Sequence, residues 1–146
     1  MPVVRAAYFD SSVLLKRYVR ESGNDRALIL TRQHLVVSAA IAPLEMRSAL
    51  RRIETEGGFS AKALQAALKR IQLERERWDL VVISTEILQS AERLTVDLNI
   101  RSLDSIHLAC ALQCQSRLKR PLPFITADLL QKDAAERLGL EIIPVE

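Results

Sequence analysis

The sequence predicts an α/β domain, with a central parallel β-sheet of about five short strands flanked by helices on both faces. Three observations predict it. Short β-prone runs alternate with segments of helical apolar spacing along the whole chain, and such alternation is the mark of parallel strands joined by helical crossovers. The segment 102–118 carries apolar residues on both sides, with Leu103, Ile106, His107, Cys110, Cys114 and Leu118 on one and Leu108 and Leu112 on the other, so it should be buried nearly all round. No repeat, linker or compositional boundary interrupts the 146 residues, a length that suits one domain spanning 1–146.

Taken in order, residues 3–9 (VVRAAYF) read as the first strand, and Asp10-Ser11-Ser12 turns the chain into a helix through VLLKRYV. A short helical stretch follows Gly23, then Leu35 to Ser38 as strand two and Pro43 to Glu56 as a helix with proline in its first turn, ended by Gly57-Gly58. Ser60 caps a long helix to about Trp78, Leu80 to Ile83 forms strand three, and Ser84 caps the next helix. Ser102 caps the apolar helix, and Pro123 to Thr126 forms strand four. Asp128 opens a helix closed by Gly139, and EIIPV is the last strand.

Composition narrows the function. Hydrophobic residues at 49% with 4 Gly and 5 Pro are globular, and aromatics at 4% leave few platforms for stacking single-stranded bases. Met1 to Arg5 lacks a signal peptide's apolar core and no run suits a bilayer, so a cytoplasmic protein without membrane partners is expected. Cys110 and Cys114, four apart in a helical pattern, are expected as reduced thiols. The net charge is +3, but four carboxylates sequestered with a metal would leave 21 cations against 14 anions, or +7, which favours a polyanion.

Ligands of open parallel sheets bind beyond the carboxyl ends of the strands, and four acids fall there: Asp10 after strand one, Glu45 after strand two, Asp104 in the first turn of the apolar helix, and Asp128 after strand four. Each could be a helix cap or a macrodipole partner worth about 0.3 to 1 kcal/mol. Asp104 fits that account least, since it lies two residues past the expected Ser102 cap on a strongly apolar helix. Two carboxylates about 5 Å apart repel by roughly 3 kcal/mol at an effective dielectric of about 20, so a cluster of four needs a cation. Oxygen-only ligands suit Mg²⁺ or Mn²⁺. Lys16, Arg17 and Arg20 follow Asp10, and Arg47 and Arg51 follow Glu45, as candidate phosphate contacts.

Asp10-Ser11-Ser12 after a hydrophobic strand, Pro43-Leu44-Glu45 opening a helix, Leu103-Asp104-Ser105-Ile106-His107-Leu108-Ala109, and Phe124-Ile125-Thr126-Ala127-Asp128 together resemble the PIN-domain pattern in order and spacing. The compact size resembles the VapC toxins of toxin–antitoxin pairs. The resemblance implies a Mg²⁺- or Mn²⁺-dependent endoribonuclease whose catalytic and metal-binding cluster is Asp10, Glu45, Asp104 and Asp128, with Ser12 and Thr126 as supporting hydroxyls. It also implies an RNA substrate, a homodimer and a cognate VapB-type antitoxin. Leu129-Leu130 stands where some PIN nucleases carry a further acid, which bears on a second metal site.

Other readings are weaker. His107, Cys110 and Cys114 share a helical face, but structural zinc wants four ligands and His34 is the one other histidine, so a hydrogen-bonded core histidine beside two small thiols is expected. The same expectation weighs against a Ser-His-Asp triad. Trp78 reads as a core or interface anchor. GxGxxG and GxxxxGK[ST] are absent. A dehalogenase-like phosphatase wants an acid at position 12, where Ser12 stands, and a receiver module wants an Asp after strand three, which LVVIST lacks. A non-toxin RNA-processing nuclease and a catalytically silent protein-binding module of the same fold are the remaining alternatives.

Overall fold

A computed structural model describes residues 3–145. In chain order its elements are β1 (Ala6–Phe9), α1 (Ser11–Lys16), α2 (Asn24–Gln33), β2 (Leu35–Ala39), α3 (Ala42–Thr55), α4 (Ala61–Glu74), β3 (Asp79–Val81), α5 (Thr85–Leu98), α6 (Ser102–Leu118), β4 (Phe124–Thr126), α7 (Leu129–Arg137) and β5 (Ile142–Pro144). The strands form one sheet in the order β3-β2-β1-β4-β5, and every pairing is parallel. The expected α/β architecture is therefore the observed one.

Alternation along the strands builds two cores. Ala7 and Phe9 of β1, Val36 of β2 and Ile125 of β4 face one side, where they pack with Val13, Leu14, Leu30, Met46, Leu50 and Ile71 from α1 to α4. Tyr8, Val37 and Phe124 face the other and pack with α5, α6 and α7 through Ile87, Leu94, Leu108 and Ala135. Trp78 is partly buried against the first core. Because β1 is central and the chain moves outward on one side before returning to the other, the order reverses between β1 and β4, and their carboxyl ends open the crevice where such sheets bind ligands.

Local signals acted largely as expected. Ser60 and Ser84 accept hydrogen bonds from Ala63 N (3.0 Å) and Ile87 N (3.2 Å) and so cap α4 and α5, and Pro43 sits in the first turn of α3. Gly139 takes φ +79° where α7 ends, a conformation that only glycine adopts without strain. No helix among the described residues is long and apolar enough to cross a membrane.

Several boundaries differ from the sequence expectation. The first strand begins at Ala6 rather than Val3, because the ladder to β2 starts at Ala6–Leu35 and Val3 and Val4 stay exposed. The first helix stops at Lys16, whose carbonyl accepts from Asn24 Nδ2 at 2.7 Å instead of from a continuing turn. The long helix ends at Glu74 and tightens into a 3₁₀ turn, Arg75–Arg77, and β3 spans Asp79–Val81 rather than Leu80 to Ile83. Ser102 is not the cap of α6. Arg101 holds that position, and Ser102 is the first helical residue, its carbonyl accepting from Ser105 Oγ at 2.7 Å. Burial of α6 is confined to its first half, Ser105 and the run His107 to Ala111, so Leu103 and Leu118, expected inside, are exposed at its ends.

Candidate active site

Asp10 ends β1 and starts α1 from an extended backbone, and its side chain makes no cap hydrogen bond, which leaves the carboxylate free for other partners. It is buried, with 8% of the side chain exposed. Ser12 Oγ donates to its Oδ2 at 2.6 Å, and Thr126 Oγ1, from the end of β4, lies 3.2 Å from the same oxygen. Thr126 Oγ1 also accepts from Asp128 N at 3.0 Å, so both hydroxyls expected to support the acids do contact them. Burial pushes the Asp10 carboxyl above the usual range; His107 and the Ser12 hydrogen bond oppose that push and the Glu45 charge adds to it.

Glu45 reaches toward Asp10 from α3 and is held by His107 of α6, whose Nε2 lies 2.6 Å from Oε1. The same Nε2 is 3.8 Å from Asp10 Oδ1, while Nδ1 meets the Tyr8 hydroxyl at 2.7 Å. Burial raises the Tyr8 hydroxyl well above its ordinary value, so it stays protonated. With a neutral ring, Tyr8 donates to Nδ1 and Nε2–H donates to Glu45; with an imidazolium, Nε2 still donates to Glu45. Burial pulls the imidazole down, but the Glu45 hydrogen bond and the Asp10, Glu45 and Asp104 charges outweigh it and leave the group above its usual value. Burial likewise pushes the Cys110 thiol up to about 12, and both cysteines are free and neutral.

Asp104 stands in the first turn of α6 with 18% of its side chain exposed. Burial raises its carboxyl; Arg101 lowers it, and Asp10 and Asp128 raise it further, so Asp104 senses two of the other three acids. Asp128 combines two roles. Its Oδ1 caps α7 by accepting from Leu130 N (2.8 Å) and Gln131 N (3.3 Å), as the capping account requires. Its Oδ2 lies 3.8 Å from Arg101 Nη2, and Arg101 Nε lies 3.5 Å from Asp104 Oδ2, so one guanidinium bridges two acids.

Sequence reasoning missed His107, Arg101 and Gln131 as members of this centre. His107 lies one turn beyond Asp104 and could have been found by that spacing. Gln131 is buried beside Thr126, and its Nε2 lies 3.4 Å from the Asp104 carbonyl. The basic candidates are placed unevenly. Arg17 pairs with Glu74 and donates to Thr31 Oγ1 at 2.7 Å, and Lys16 donates to Ser22 O at 2.7 Å and pairs with Glu21 at 3.3 Å. Arg51 pairs with Glu54 within α3 at 3.0 Å, whereas Arg47 is exposed.

The donor chemistry suits a hard divalent cation: carboxylate oxygens alone, two of the carboxyls raised by burial and by neighbouring acids, and a guanidinium drawn between two of them. Asp10, Asp104 and Asp128, with Glu45 behind them, are the residues that could hold it. Among the described residues no three His, Cys, Asp or Glu side chains are already gathered at metal-binding distance.

Comparison with known proteins agrees with this fold. No curated protein sequence matches the chain. Among solved structures, a toxin–antitoxin complex from Klebsiella pneumoniae is similar at 19% identity and TM-score 0.64, over 94% of this chain and 96% of that one. VapBC2 from Rickettsia felis, bound to a DNA fragment from its promoter, is similar at 9% identity and TM-score 0.65, over 99% and 100%. FitAcB from Neisseria gonorrhoeae is similar at 14% identity and TM-score 0.71, over 94% and 96%. At these identities the likeness is one of fold. A family model for the PIN domain matches residues 7–137, a span that runs from within β1 through all four acids to the end of α7, and the chain therefore belongs to the PIN-domain family.

Proposed function

We propose that this protein is a Mg²⁺- or Mn²⁺-dependent endoribonuclease and the toxin of a VapBC-type toxin–antitoxin pair. The observation that carries the reading is Asp10: a buried carboxylate at the sheet's switch point, held by Ser12 and Thr126, with its charge opposed by acids from other segments. PIN domains are generally divalent-metal nucleases, and a bound cation would polarise the scissile phosphate and lower the pKa of a water. Ser12 and Thr126 fix the Asp10 carboxylate, and His107 fixes that of Glu45. Tyr8 in turn holds the imidazole, so the acids are ordered before substrate arrives. Arg101, 78% exposed, lies beside Asp104 and Asp128 and is free to turn outward to a phosphate oxygen.

The test is hydrolysis of structured RNA by purified, partner-free protein. Cleavage should require Mg²⁺ or Mn²⁺, stop with EDTA, and fall at least about a hundredfold in Asp10→Asn or Asp104→Asn, about 2.7 kcal/mol or more of barrier. Activity that survives rigorous chelation would refute the metal-dependent mechanism. Expression without a partner should arrest growth, and the Asp10→Asn variant should be tolerated. An antitoxin of VapB type, a homodimer and a cytoplasmic site of action belong to the same reading. Co-purification with the product of the adjacent reading frame, light scattering at micromolar concentration and cell fractionation test them in turn.

A further inference from the structure

A groove lies on the face of α3 that carries Pro43 and Arg47, turned away from Glu45 by the helical period. It encloses about 990 Å³ between α3 and α4, closed at one end by the edge strand β3. Pro43, Ile71 and Leu80 form its apolar floor, and Arg47, Lys69 and Arg75 stand along its walls. Among the described residues these three cations make no ion pair, whereas nearby Arg17, Arg51 and Arg70 each pair with a glutamate. Glu76 is the one acid on the lining, and Gln65 and Gln72 add neutral amides. No aromatic side chain lines the groove.

We infer that this groove binds the phosphate backbone of the single-stranded RNA segment flanking the scissile bond, an inference that rests on the ribonuclease reading above. Charge is the first argument. Three unneutralised cations in one groove, facing a single acid, suit a polyanion, and their spread over two helices suits successive phosphates rather than one. Position is the second. Pro43 and Arg47 flank Glu45 two residues to either side on α3, so groove and acids adjoin the same helix end, within about one helix diameter, roughly 10 Å. A strand leaving the acids would have to pass over the start of α3 to reach the groove. The lining chemistry also fixes the kind of recognition. Without aromatic platforms the bases are not stacked, and the amides and apolar floor accept any of them, so this segment is held by charge and with little sequence preference.

The experiment measures binding of a fluorescently labelled single-stranded RNA by anisotropy, in EDTA, from about 50 to 200 mM salt, with every protein carrying Asp10→Asn so that no RNA is cut. Neutralising the groove in R47Q/K69Q/R75Q should flatten the plot of log affinity against log salt by about 2, since each single-strand phosphate contact contributes about 0.7. The surface triple R93Q/R117Q/R137Q, distant in sequence from the groove, should leave the slope unchanged. If the groove triple fails to fold, K69Q and R75Q alone should each lower the slope by about 0.7. In a background with Asp10 intact, the groove triple should raise KM for a long RNA at least about tenfold while kcat stays within about twofold. Equal slopes in wild type and groove triple, an equal loss in the surface triple, or loss of poly-glutamate binding with RNA binding intact would each overturn the inference. The two readings fail distinguishably: a protein that cuts RNA but ignores the groove substitutions sinks this inference alone, and one that cuts no RNA yet loses RNA affinity in the groove triple sinks the nuclease reading and leaves the groove an RNA-binding surface with no scissile bond beside it.

Discussion

Replacing Asp104 by Asn separates a shared metal site from four independent helix caps without any knowledge of the substrate. The Asp104 carboxylate is mostly buried, and its one charged partner is the 78% exposed Arg101 at 3.5 Å, a pair worth at most about 1 kcal/mol in so open a setting. Against that stand burial and the charges of Asp10 and Asp128, all of which hold the carboxyl above its usual range. An acid raised in the folded state favours folding at low pH, where both states are protonated, and that advantage is lost as pH climbs through the folded value. At neutral pH the ionised group therefore weakens the metal-free fold, and the neutral amide should relieve it. Desolvating an ill-paired polar group costs about 1–3 kcal/mol, so a net gain of about 1 kcal/mol is expected, or roughly 2–4 °C in melting temperature. The same variant should lose the response to Mn²⁺, which in wild type at a hundredfold excess over Kd is worth about 2.7 kcal/mol, or roughly 5–10 °C. Melting curves of both proteins in EDTA and in Mn²⁺, at pH 5 and pH 7.5, provide the assay, with the metal-free gain smaller at the lower pH. A metal-free Asp104→Asn protein less stable than wild type at pH 7.5, or one that keeps the full Mn²⁺ shift, would refute the shared site.

Asp128 should divide its two roles between two substitutions: Asn keeps a cap oxygen for Leu130 N and leaves stability unchanged, Ala costs about 1 kcal/mol by chemical denaturation, and both lose RNA cleavage. Tyr8→Phe strips the buried His107 Nδ1 of its hydrogen bond and should cost about 1–3 kcal/mol, read as a drop of roughly 2–12 °C by calorimetry, while a shift below about 1 °C would show that bond to be dispensable. Arg17→Gln removes the partner of Glu74 and should lower the urea midpoint with kcat/KM on RNA unchanged; a stable variant with impaired cleavage would instead return Arg17 to the substrate path.

The sequence by itself determined the alternation of strands and helices, the parallel sheet and the position of four acids at its carboxyl edge, because each follows from local patterning: short apolar runs, serine caps, and acids placed where a strand turns into a helix. The resemblance to the PIN-domain pattern, rather than local patterning, pointed to Ser12 and Thr126 as neighbours of the acids. What each oxygen of those acids touches was decided only by the tertiary structure. Asp128 gives one oxygen to its own helix, which its sequence position announces, and turns the other toward Arg101, from another element, which no pattern announces. His107, read from the sequence as a core histidine, and Tyr8 of the first strand are 99 residues apart; packing α6 against β1 makes them the support of Glu45. Arg17 follows Asp10 closely in sequence, yet the fold brings the end of α4 to it and turns its guanidinium to Glu74, 57 residues on. The physical reason is the same in each case. Periodicity fixes which face of an element is buried, whereas the partner of a polar atom depends on how elements cross and which rotamers that crossing leaves open, and those are properties of the assembled chain.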